Sequence, residues 1–456
     1  MQRQLTAQSE KVMQQVETDG VYVPETMMKN SEIPHVFAMD NLDWKMKTLD
    51  GGSFNATTAI IIENQKIVRV QEGARFPTST LERKKTLSDV TDLRAPMCHV
   101  SAKDRQRSRS LEHIETLESL DTSSDGTAED LLLMWRLARM VTTSELLDAP
   151  PDAEAGLPGF SAFCADLHPH RPASIIGYLP LIPASPTDPA VLKEEIKRLV
   201  KTSHALGDKY TIITGDQATY ELAVAIRDKH IDEFCNVVLL LGGFHQAHNY
   251  MKAVCKIIRE AGAEDILVAA GLCQEGTAKK MFGEKADYYQ TMHALRILSG
   301  AMWRLYWQAF EACAADRETQ HWQSQVENVV KMLFEKDTTA TEKLEIIQMS
   351  RPQLSILQEQ MLLFQESLNE HPTAVFWSIF LEMSDILHRF IYYQREGNWA
   401  GHLCESARML PYLTAAGHYK YGQQSLPLYL AEMKKLPDTA TEAHEALMAG
   451  AFVGRR

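Results

Sequence analysis

Two carboxylates occupy positions at which a metal ion could be held. Asp40 closes the short apolar run 35–39, which is predicted to be a strand, and Asp216 follows Gly215 at the end of the predicted strand 210–214. If these strands are neighbours in a sheet, the two carboxylates lie side by side at its edge. Mg²⁺ prefers hard oxygen ligands and is usually bound by one or two carboxylates plus substrate phosphates. The spacing therefore raises the hypothesis of a Mg²⁺ or Mn²⁺ site at Asp40 and Asp216 that acts on phosphodiesters, a chemistry that calls for a third acidic ligand.

Capping is the simpler alternative for both residues. An aspartate between a strand and a helix often caps the helix, so Asp216 could cap a helix that begins at Gln217, and Asp40 could cap a turn. Asp43 and Asp50 lie near Asp40 and could replace it as the ligand, although Asp50 precedes Gly51 and is typical of a turn. The sequence alone leaves these alternatives open.

Histidines follow the next predicted strand. His245 and His248 come after the continuous apolar run 237–241, which predicts a buried strand, and they share a helix face if the helix has begun there. No further Cys or His has a convincing zinc-ligand spacing. A structural or supporting role is therefore expected for His245. The histidines of the C-terminal region, His388, His402 and His418, lie among aromatic residues and are expected to be structural.

The elements that carry these residues predict an α/β protein. Strands alternate with helices from 172 to 287, which indicates a parallel sheet covered by helices. In this region Asp188 followed by Pro189 is typical of a helix start, and a further helix is expected over 247–260. Three strands joined by tight turns are expected between 31 and 75, the last of them at 66–70. From 288 to 456 only helical spacing remains, with prolines, Pro352 among them, near the expected helix boundaries. Aromatic residues at spacings of three and four in this region are expected to be core residues. The domain prediction is listed in chain order: a polar N-terminal tail 1–30, the first part of the core 31–75, a charged insertion and linker 76–171, the second part of the core 172–287, and a helical module 288–456.

Composition limits the class of protein. The net charge of −13 makes a dedicated basic coat for nucleic acid unexpected, but it leaves room for a local basic patch. Seven cysteines without a CxxC pair argue against a disulfide framework or a zinc ribbon and fit a reducing interior. The polar N-terminus and the short apolar runs predict neither a secretory signal nor a transmembrane helix. An intracellular protein is expected, with no membrane partner.

The segment 76–130 breaks the regular texture. A basic stretch is followed by an acidic stretch, with Ser and Thr between them, which is typical of a flexible, solvated insertion. A DNA-tracking arm around Arg105, Arg107 and Arg109 is the alternative. No Walker A, GxGxxG, GxSxG or HExxH motif occurs, so none of the chemistries tied to those motifs is indicated.

Several short motifs resemble, in the same order, those of a large, poorly characterised group of transposon-derived animal proteins. The run 35–43 followed by 48–54 is similar to the group's ADNxDHN…TLDGxGTFHG stretch, and 178–182 to its FLPxI strand. Residues 213–220 resemble its GDQxT motif and 241–245 its RLGGFH motif. Segments 398–403, 409–412 and 417–421 match its helical C-terminal part, so that the resemblance spans about 33–456 with a poor fit in 76–170.

The resemblance implies an RNase H-like core with a helical insertion, as in DDE-type transposases. Asp40 would be the first-strand carboxylate and Asp216 the fourth-strand carboxylate. Asn41, Asp43 and Gln217 would be their neighbours. His245 resembles the histidine after the fifth strand of hAT-like transposases. A nuclear location is expected on the same ground.

Two departures from the group's pattern bear on activity. Trp44 stands where the group has histidine, and the chain ends at Arg456, before an acidic EQxINR helix that follows in relatives. If that helix carries the third ligand, Mg²⁺ binding is weak and strand transfer is impaired. The expectation is a catalytically incomplete, transposase-derived protein with an inherited metal-dependent DNA-transfer scaffold. The alternative is a non-enzymatic module that binds DNA, or binds protein partners through its helical part.

Overall fold

The architecture is mixed α/β, with one five-stranded sheet and many helices. A computed structural model of the chain describes residues 2–45, 53–64, 126–146, 159–165, 167, 172–283, 286–313, 328–329, 331–333 and 338–454. The predicted mixed sheet and helix-rich C-terminal region are confirmed at this coarse level. None of the helices within these ranges is long and apolar enough to cross a lipid bilayer.

The sheet combines a β-hairpin with parallel strands. Its members are β1 (Val36–Lys45), β2 (Ser53–Glu63), β3 (Ile175–Tyr178), β4 (Thr211–Gly215) and β5 (Val237–Leu241). Their spatial order is β3-β2-β1-β4-β5. Strand β2 runs antiparallel to β1 and to β3, whereas β1, β4 and β5 are mutually parallel. Every residue of β5 is buried, as its continuous apolar run predicts.

The helices account for most of the described chain. The first ten are α1 (Gln2–Asp19), α2 (Thr127–Leu146), α3 (Phe160–Ala165), α4 (Pro189–Leu206), α5 (Gln217–Lys229), α6 (Ile231–Phe234), α7 (Gly243–Arg259), α8 (Ala263–Ala269), α9 (Glu275–Met281) and α10 (Tyr288–Cys313). The remaining six are α11 (Ala340–Ser367), α12 (Pro372–Glu396), α13 (Trp399–Arg408), α14 (Leu410–Ala415), α15 (Leu426–Thr439) and α16 (Thr441–Met448). A π-helical turn, Lys420–Ser425, precedes α15.

Helix α4 shows how local chemistry sets the helix ends. The Asp188 carboxylate accepts a hydrogen bond from the backbone N–H of Ala190 (2.9 Å), and Pro189 occupies the first turn. At the other end Gly207 adopts φ +93°, a left-handed conformation that glycine adopts without steric cost. The predicted N-cap and proline start of this helix are confirmed.

Three predicted boundaries are wrong. Strand β1 does not end at Asp40 but continues to Lys45, because the hairpin with β2 extends pairing from Asp40–Thr58 to Lys45–Ser53. Helix α7 begins at Gly243, before the expected residue 247. Pro352 lies inside α11, since buried residues on both sides of it keep the helix packed through the proline. The predicted strand 66–70 and most of the insertion 76–171 lie outside the described residues.

The chain forms two compact units. One, here called the sheet unit, comprises the described residues of 1–112, 171–242 and 432–456. The other, the helical unit, comprises those of 113–170 and 243–431. This grouping differs from the predicted segments, because the polypeptide leaves the sheet unit at Gly242 and returns to it at Glu432.

A buried histidine joins three segments of the sheet unit. His35, directly before β1, is fully buried, and its Nδ1 lies 3.0 Å from Oδ2 of Asp208, which precedes β4. Its Nε2 lies 3.6 Å from Oε2 of Glu63, the last residue of β2. Burial lowers the pKa of His35, but the hydrogen bonds and charges of Asp208 and Glu63 outweigh it and raise the pKa to about 9. The ring is therefore an imidazolium at neutral pH, paired between two carboxylates.

This pairing predicts a pH-dependent stability. The folded pKa of about 9 lies above the unfolded value of about 6.5, so the stabilisation is complete below pH 6.5 and is lost as the pH rises through 9. The free energy of unfolding should fall by up to about 3 kcal/mol across that window. Urea titrations between pH 6 and pH 10 measure it, and the His35 ring resonances should titrate with a midpoint near 9.

The control variants separate His35 from other groups that titrate. Substitution of the exposed His293 by Gln should leave the pH profile unchanged. His35→Gln should abolish the decrease, because the amide does not ionise. A wild-type profile that is flat from pH 6.5 to pH 9 would contradict the paired imidazolium.

The helical unit contains a core rich in aromatic residues. The side chains of Trp135, Phe160, Trp303, Trp307 and Phe310 are buried in one cluster. The expectation that the aromatic residues at helical spacing are core residues is confirmed for Trp303, Trp307, Phe310, Tyr392 and Tyr393.

Beside this core lies a buried ion-pair network. Arg389 donates to both carboxylate oxygens of Glu405, at 2.9 and 3.2 Å, and Glu405 is fully buried. Arg408 donates to the same carboxylate and to Glu129, at 3.0 and 2.9 Å. Burial raises the pKa of Glu405, and the two arginines oppose this effect.

Loss of the Glu405 charge should be strongly destabilising. Glu405→Gln preserves the shape of the side chain but removes the closest anionic partner of the buried Arg389 and leaves Glu129, 3.7 Å away, which should cost about 3 kcal/mol. Denaturant unfolding monitored by circular dichroism measures the change. Glu442→Gln is the matched control, because Glu442 pairs with Lys209 on the surface and its loss should have little effect. Equal effects of the two substitutions would contradict this interpretation.

Candidate metal site

The sheet register brings Asp40 and Asp216 to the same level. In the parallel pair β1–β4, Ala38 lies opposite Thr214, and each aspartate follows two residues later. The strands remain adjacent at that level, because the carbonyl oxygen of Met39 lies 3.9 Å from where a Cβ on Gly215 would be. Asp216 itself has extended backbone (φ −68°, ψ 176°). Paired residues of parallel strands project to the same face, so continuation of this register past the end of β4 would place the two carboxylates on one face of the sheet.

Asp216 also caps helix α5. Its Oδ1 accepts a hydrogen bond from the backbone N–H of Thr219 at 2.8 Å. The capping role considered from the sequence is therefore present in the structure. The half-buried Asp216 makes no hydrogen bond through Oδ2 to the residues that the structure describes, so this oxygen remains available to a ligand.

The approach of strand to helix is tight at this point. A Cβ on Gly215 would lie 3.1 Å from Cγ2 and 3.2 Å from Cβ of Thr219. Glycine is therefore favoured at position 215, the last of β4, because a larger side chain would displace Thr219, whose N–H donates to the Asp216 carboxylate. The N–H of Gly242, after β5, donates to the Gly215 carbonyl at 2.8 Å and extends the sheet at the same edge.

Asp40 occupies a different local setting. It is exposed and lies within the hairpin, opposite Thr58 of β2, rather than at the end of a strand. Asn41 and Asp43 follow it on β1, opposite Thr57 and Asn55, and their side chains lie outside the described part of the structure, as does the whole of Asp50.

Gln217 begins helix α5. Its Nε2 donates to Oε1 of Glu221 at 3.1 Å, one turn further along the same helix. This contact orients the amide along the helix surface, so the structure gives Gln217 a helical neighbour rather than a direct link to Asp216.

His245 lies in the helical unit, three residues after Gly242. It is the third residue of α7, where its ring contacts Phe244 (5.6 Å between centroids) and its carbonyl accepts a hydrogen bond from Asn249. His248 lies one turn further, as the three-residue spacing predicted. Burial and the charge of Lys252 lower the pKa of His248, which favours the neutral ring.

Two of the three C-terminal histidines, His388 and His402, are structural, as expected. His388 is buried, its pKa is lowered to about 4 by burial and by Arg136, and its Nδ1 donates to the Ser384 carbonyl at 2.7 Å. His402 is buried with a pKa lowered to about 3, and its Nε2 lies 3.0 Å from the Tyr429 hydroxyl. Such neutral, hydrogen-bonded rings have no access to a substrate.

Within the described ranges, no group of three or more His, Cys, Asp or Glu side chains is arranged to hold a metal ion. The two strand carboxylates therefore form a pair rather than a complete ligand set in this part of the chain.

A family model described as a domain of unknown function, DUF8702, matches residues 159–456. The chain belongs to the DUF8702 family. No curated protein and no solved structure matches the chain. The DUF8702 span includes β3, β4 and β5 with Asp216 and His245, whereas β1 with Asp40 precedes it.

The buried cluster around His35 is the site that sequence reasoning missed. The sequence shows only a histidine at the head of an apolar run and a glutamate at the end of another. The available signal was a polar residue at the start of one buried strand and another at the end of the next. Asp208 is brought to them only by the fold.

The two roles of Asp216 can be separated by substitution. Asparagine caps helices about as well as aspartate, so Asp216→Asn should change the free energy of unfolding little. Asp216→Ala removes the hydrogen bond to Thr219 and should cost about 1 kcal/mol. Thermal and urea unfolding measure both values. An Asn variant as unstable as the Ala variant would show that the carboxylate charge, rather than capping, carries the stabilisation.

Proposed function

We propose that the chain is a transposase-derived protein, with an RNase H-like sheet and an inherited divalent-metal site for DNA phosphodiester transfer. The proposal is limited to a catalytically incomplete site, at which a metal ion and DNA bind. Its main support is the alignment of Asp40 and Asp216 at one level of adjacent parallel strands.

The sheet topology supports the same proposal. The order β3-β2-β1-β4-β5, with β2 alone antiparallel, is the strand order of an RNase H-like core. The motif resemblance assigns the two carboxylates to the first and fourth strands of such a core. In this sheet those strands are neighbours, which is what a shared ligand requires.

The donor set suits a hard cation. Both groups are carboxylates, the ligands that Mg²⁺ and Mn²⁺ prefer, and Oδ2 of Asp216 is not used by the cap. When bound, such an ion would stabilise negative charge on the phosphate oxygens during transfer. The chain's own contribution is to hold two anionic groups at a fixed level, one through the hairpin and the other through the cap of α5.

A Mn²⁺ titration tests the proposal. The isolated protein should bind Mn²⁺, measured by electron paramagnetic resonance or calorimetry, and Asp40→Asn and Asp216→Asn should each weaken binding about tenfold or more. The reason is that removal of one charge beside a divalent cation costs more than about 1.4 kcal/mol.

Asp188→Asn is the matched control. Asp188 caps α4 as Asp216 caps α5, and it lies in the same unit, but it does not directly follow a strand of the described sheet. Its substitution should leave Mn²⁺ affinity unchanged. Equal binding by the wild type and by all three variants would overturn the metal site and favour a scaffold without metal chemistry.

A further inference from the structure

A surface of aromatic and basic side chains lies on the helical unit. We call it the aromatic–basic patch and define it by Phe244, Tyr288, Tyr289, Arg296 and Arg395. The rings of Phe244 and Tyr288 lie 4.9 Å apart, and those of Tyr288 and Tyr289 lie 5.4 Å apart, with ring planes at 59° and 83°. The first contact joins helices α7 and α10, and the second lies within α10.

Two of these rings face solvent to an unusual degree. Phe244 is 53% exposed and Tyr289 is 77% exposed. The aromatic residues in the core cluster of the same unit are buried, and in the patch two exposed rings lie close together. An exposed aromatic group that is held by neighbours offers a ring face to a ligand at little entropic cost.

The two arginines of the patch carry uncompensated charge. Arg296 and Arg395 are exposed, and neither forms an ion pair with any residue in the described ranges. Burial of part of its side chain and the positive charge of Arg395 both lower the pKa of Arg296. Both charges also act on Tyr288, which places them beside the rings. Although the chain has a net charge of −13, these two mutually repelling guanidinium groups make the local surface positive, which favours binding of an anion.

The polar neighbours of the patch do not cancel this charge. His245 and His248 lie on the Phe244 side, and the ring of His248 contacts Tyr288 at 5.8 Å. Two acids lie near the patch: Glu396 directly follows Arg395, and Asp287 precedes Tyr288. Oδ1 of Asp287 accepts a hydrogen bond from the N–H of Gln290 at the start of α10. That carboxylate is thus directed to a helix N-terminus, which favours negative charge there.

We infer that the aromatic–basic patch binds single-stranded DNA, with unpaired bases on Phe244 and Tyr289 and phosphates at Arg296 and Arg395. The inference rests on the proposed function in taking DNA as the polymer, and it adds the form of DNA that this unit recognises. Binding at the patch does not involve Asp40 or Asp216.

The geometry favours a single strand over a duplex. In a duplex each base is covered by its neighbours, so only phosphates would meet the patch and the exposed rings would gain nothing. Unpaired bases present free faces, and base–aromatic stacking contributes about 1–3 kcal/mol per base. Two rings and two guanidinium groups match the mixed stacking and charge contacts of single-strand binding surfaces.

Fluorescence anisotropy with a labelled oligothymidine of about 12 nucleotides tests the inference, since sites of this kind span about 4–16 nucleotides. The full chain should bind it more tightly than a duplex of equal length and more tightly than an abasic oligomer of equal charge. Phe244→Ala and Tyr289→Ala should each weaken binding on the order of tenfold. Phe244→Tyr and Tyr289→Phe should retain binding, because they keep the ring.

The charge contribution has its own readout. Arg395→Gln should weaken binding and reduce the slope of log affinity against log salt by about 0.7, the loss of one single-strand phosphate contact. Arg259→Gln is the control for net charge, because Arg259 pairs with Glu264, and Tyr419→Ala is the control for an exposed ring outside the patch. Both controls should bind as the wild type does.

The outcomes distinguish this inference from the metal site. Oligomer binding should be equal in the presence of Mn²⁺ and of a chelator that removes it, so failure of the metal site leaves the patch intact. Equal binding of the thymidine and abasic oligomers would overturn base stacking. No binding of the single strand at low salt would overturn the inference and assign the exposed rings to a protein partner.

Discussion

The buried imidazolium of His35 is the interaction on which the sheet unit depends. It lies between carboxylates from two other segments and so connects the head of β1, the tail of β2 and the approach to β4. A charge in this interior is tolerated only because both partners are present. The central strands are thereby fixed in order and register at one end, and hydrophobic packing, which is not directional, could not impose that order by itself.

Register at one end determines register at the other. Five residues separate His35 from Asp40, about 17 Å of extended chain, and β4 covers the same distance in parallel. The alignment of Asp40 with Asp216 is thus a consequence of how the opposite end is held. A one-residue slip of β1 would move Asp40 to the other face of the sheet.

The N-terminus of α5 has two opposing effects on a metal site at Asp216. The N-terminus of α5 carries partial positive charge, which favours the ionised carboxylate but disfavours a neighbouring cation. The affinity for a metal ion at this edge would therefore depend on the second carboxylate, that of Asp40 on β1. Because β1 is extended by its hairpin with β2, that carboxylate comes from a strand interior and not from a flexible turn.

The sequence predicts the elements well where the signal is local. The Asp188 cap and the apolar run of β5 depend on neighbouring residues, and both appear as expected. The end of β1 was misplaced because its extension comes from pairing with β2, a partner that no local pattern names. Pro352 predicts a helix boundary that the structure does not have, because helix propensity does not include tertiary packing.

The candidate site was predictable to a similar depth. The two carboxylates follow from the strand–helix alternation, and the cap at Asp216 was one of the alternatives considered. The triad of His35, Glu63 and Asp208 depends on segments far apart in the chain, so only the fold assembles it. The same is true of the patch on α7 and α10, whose exposure contrasts with the burial expected for most aromatic residues.

The return of the chain to the sheet unit at Glu432 has a consequence for biosynthesis. Asn64, at the end of β2, donates to the carbonyls of Ala451 and Val453, both at 3.0 Å, so an early strand is completed by residues made nearly 390 positions later. All described residues of the helical unit leave the ribosome before those acceptors do. The side-chain amide of Asn64, at the end of the β-hairpin, therefore lacks these two acceptors while the helical unit is synthesised. During translation the early strands thus resemble the exposed edges that chaperones protect.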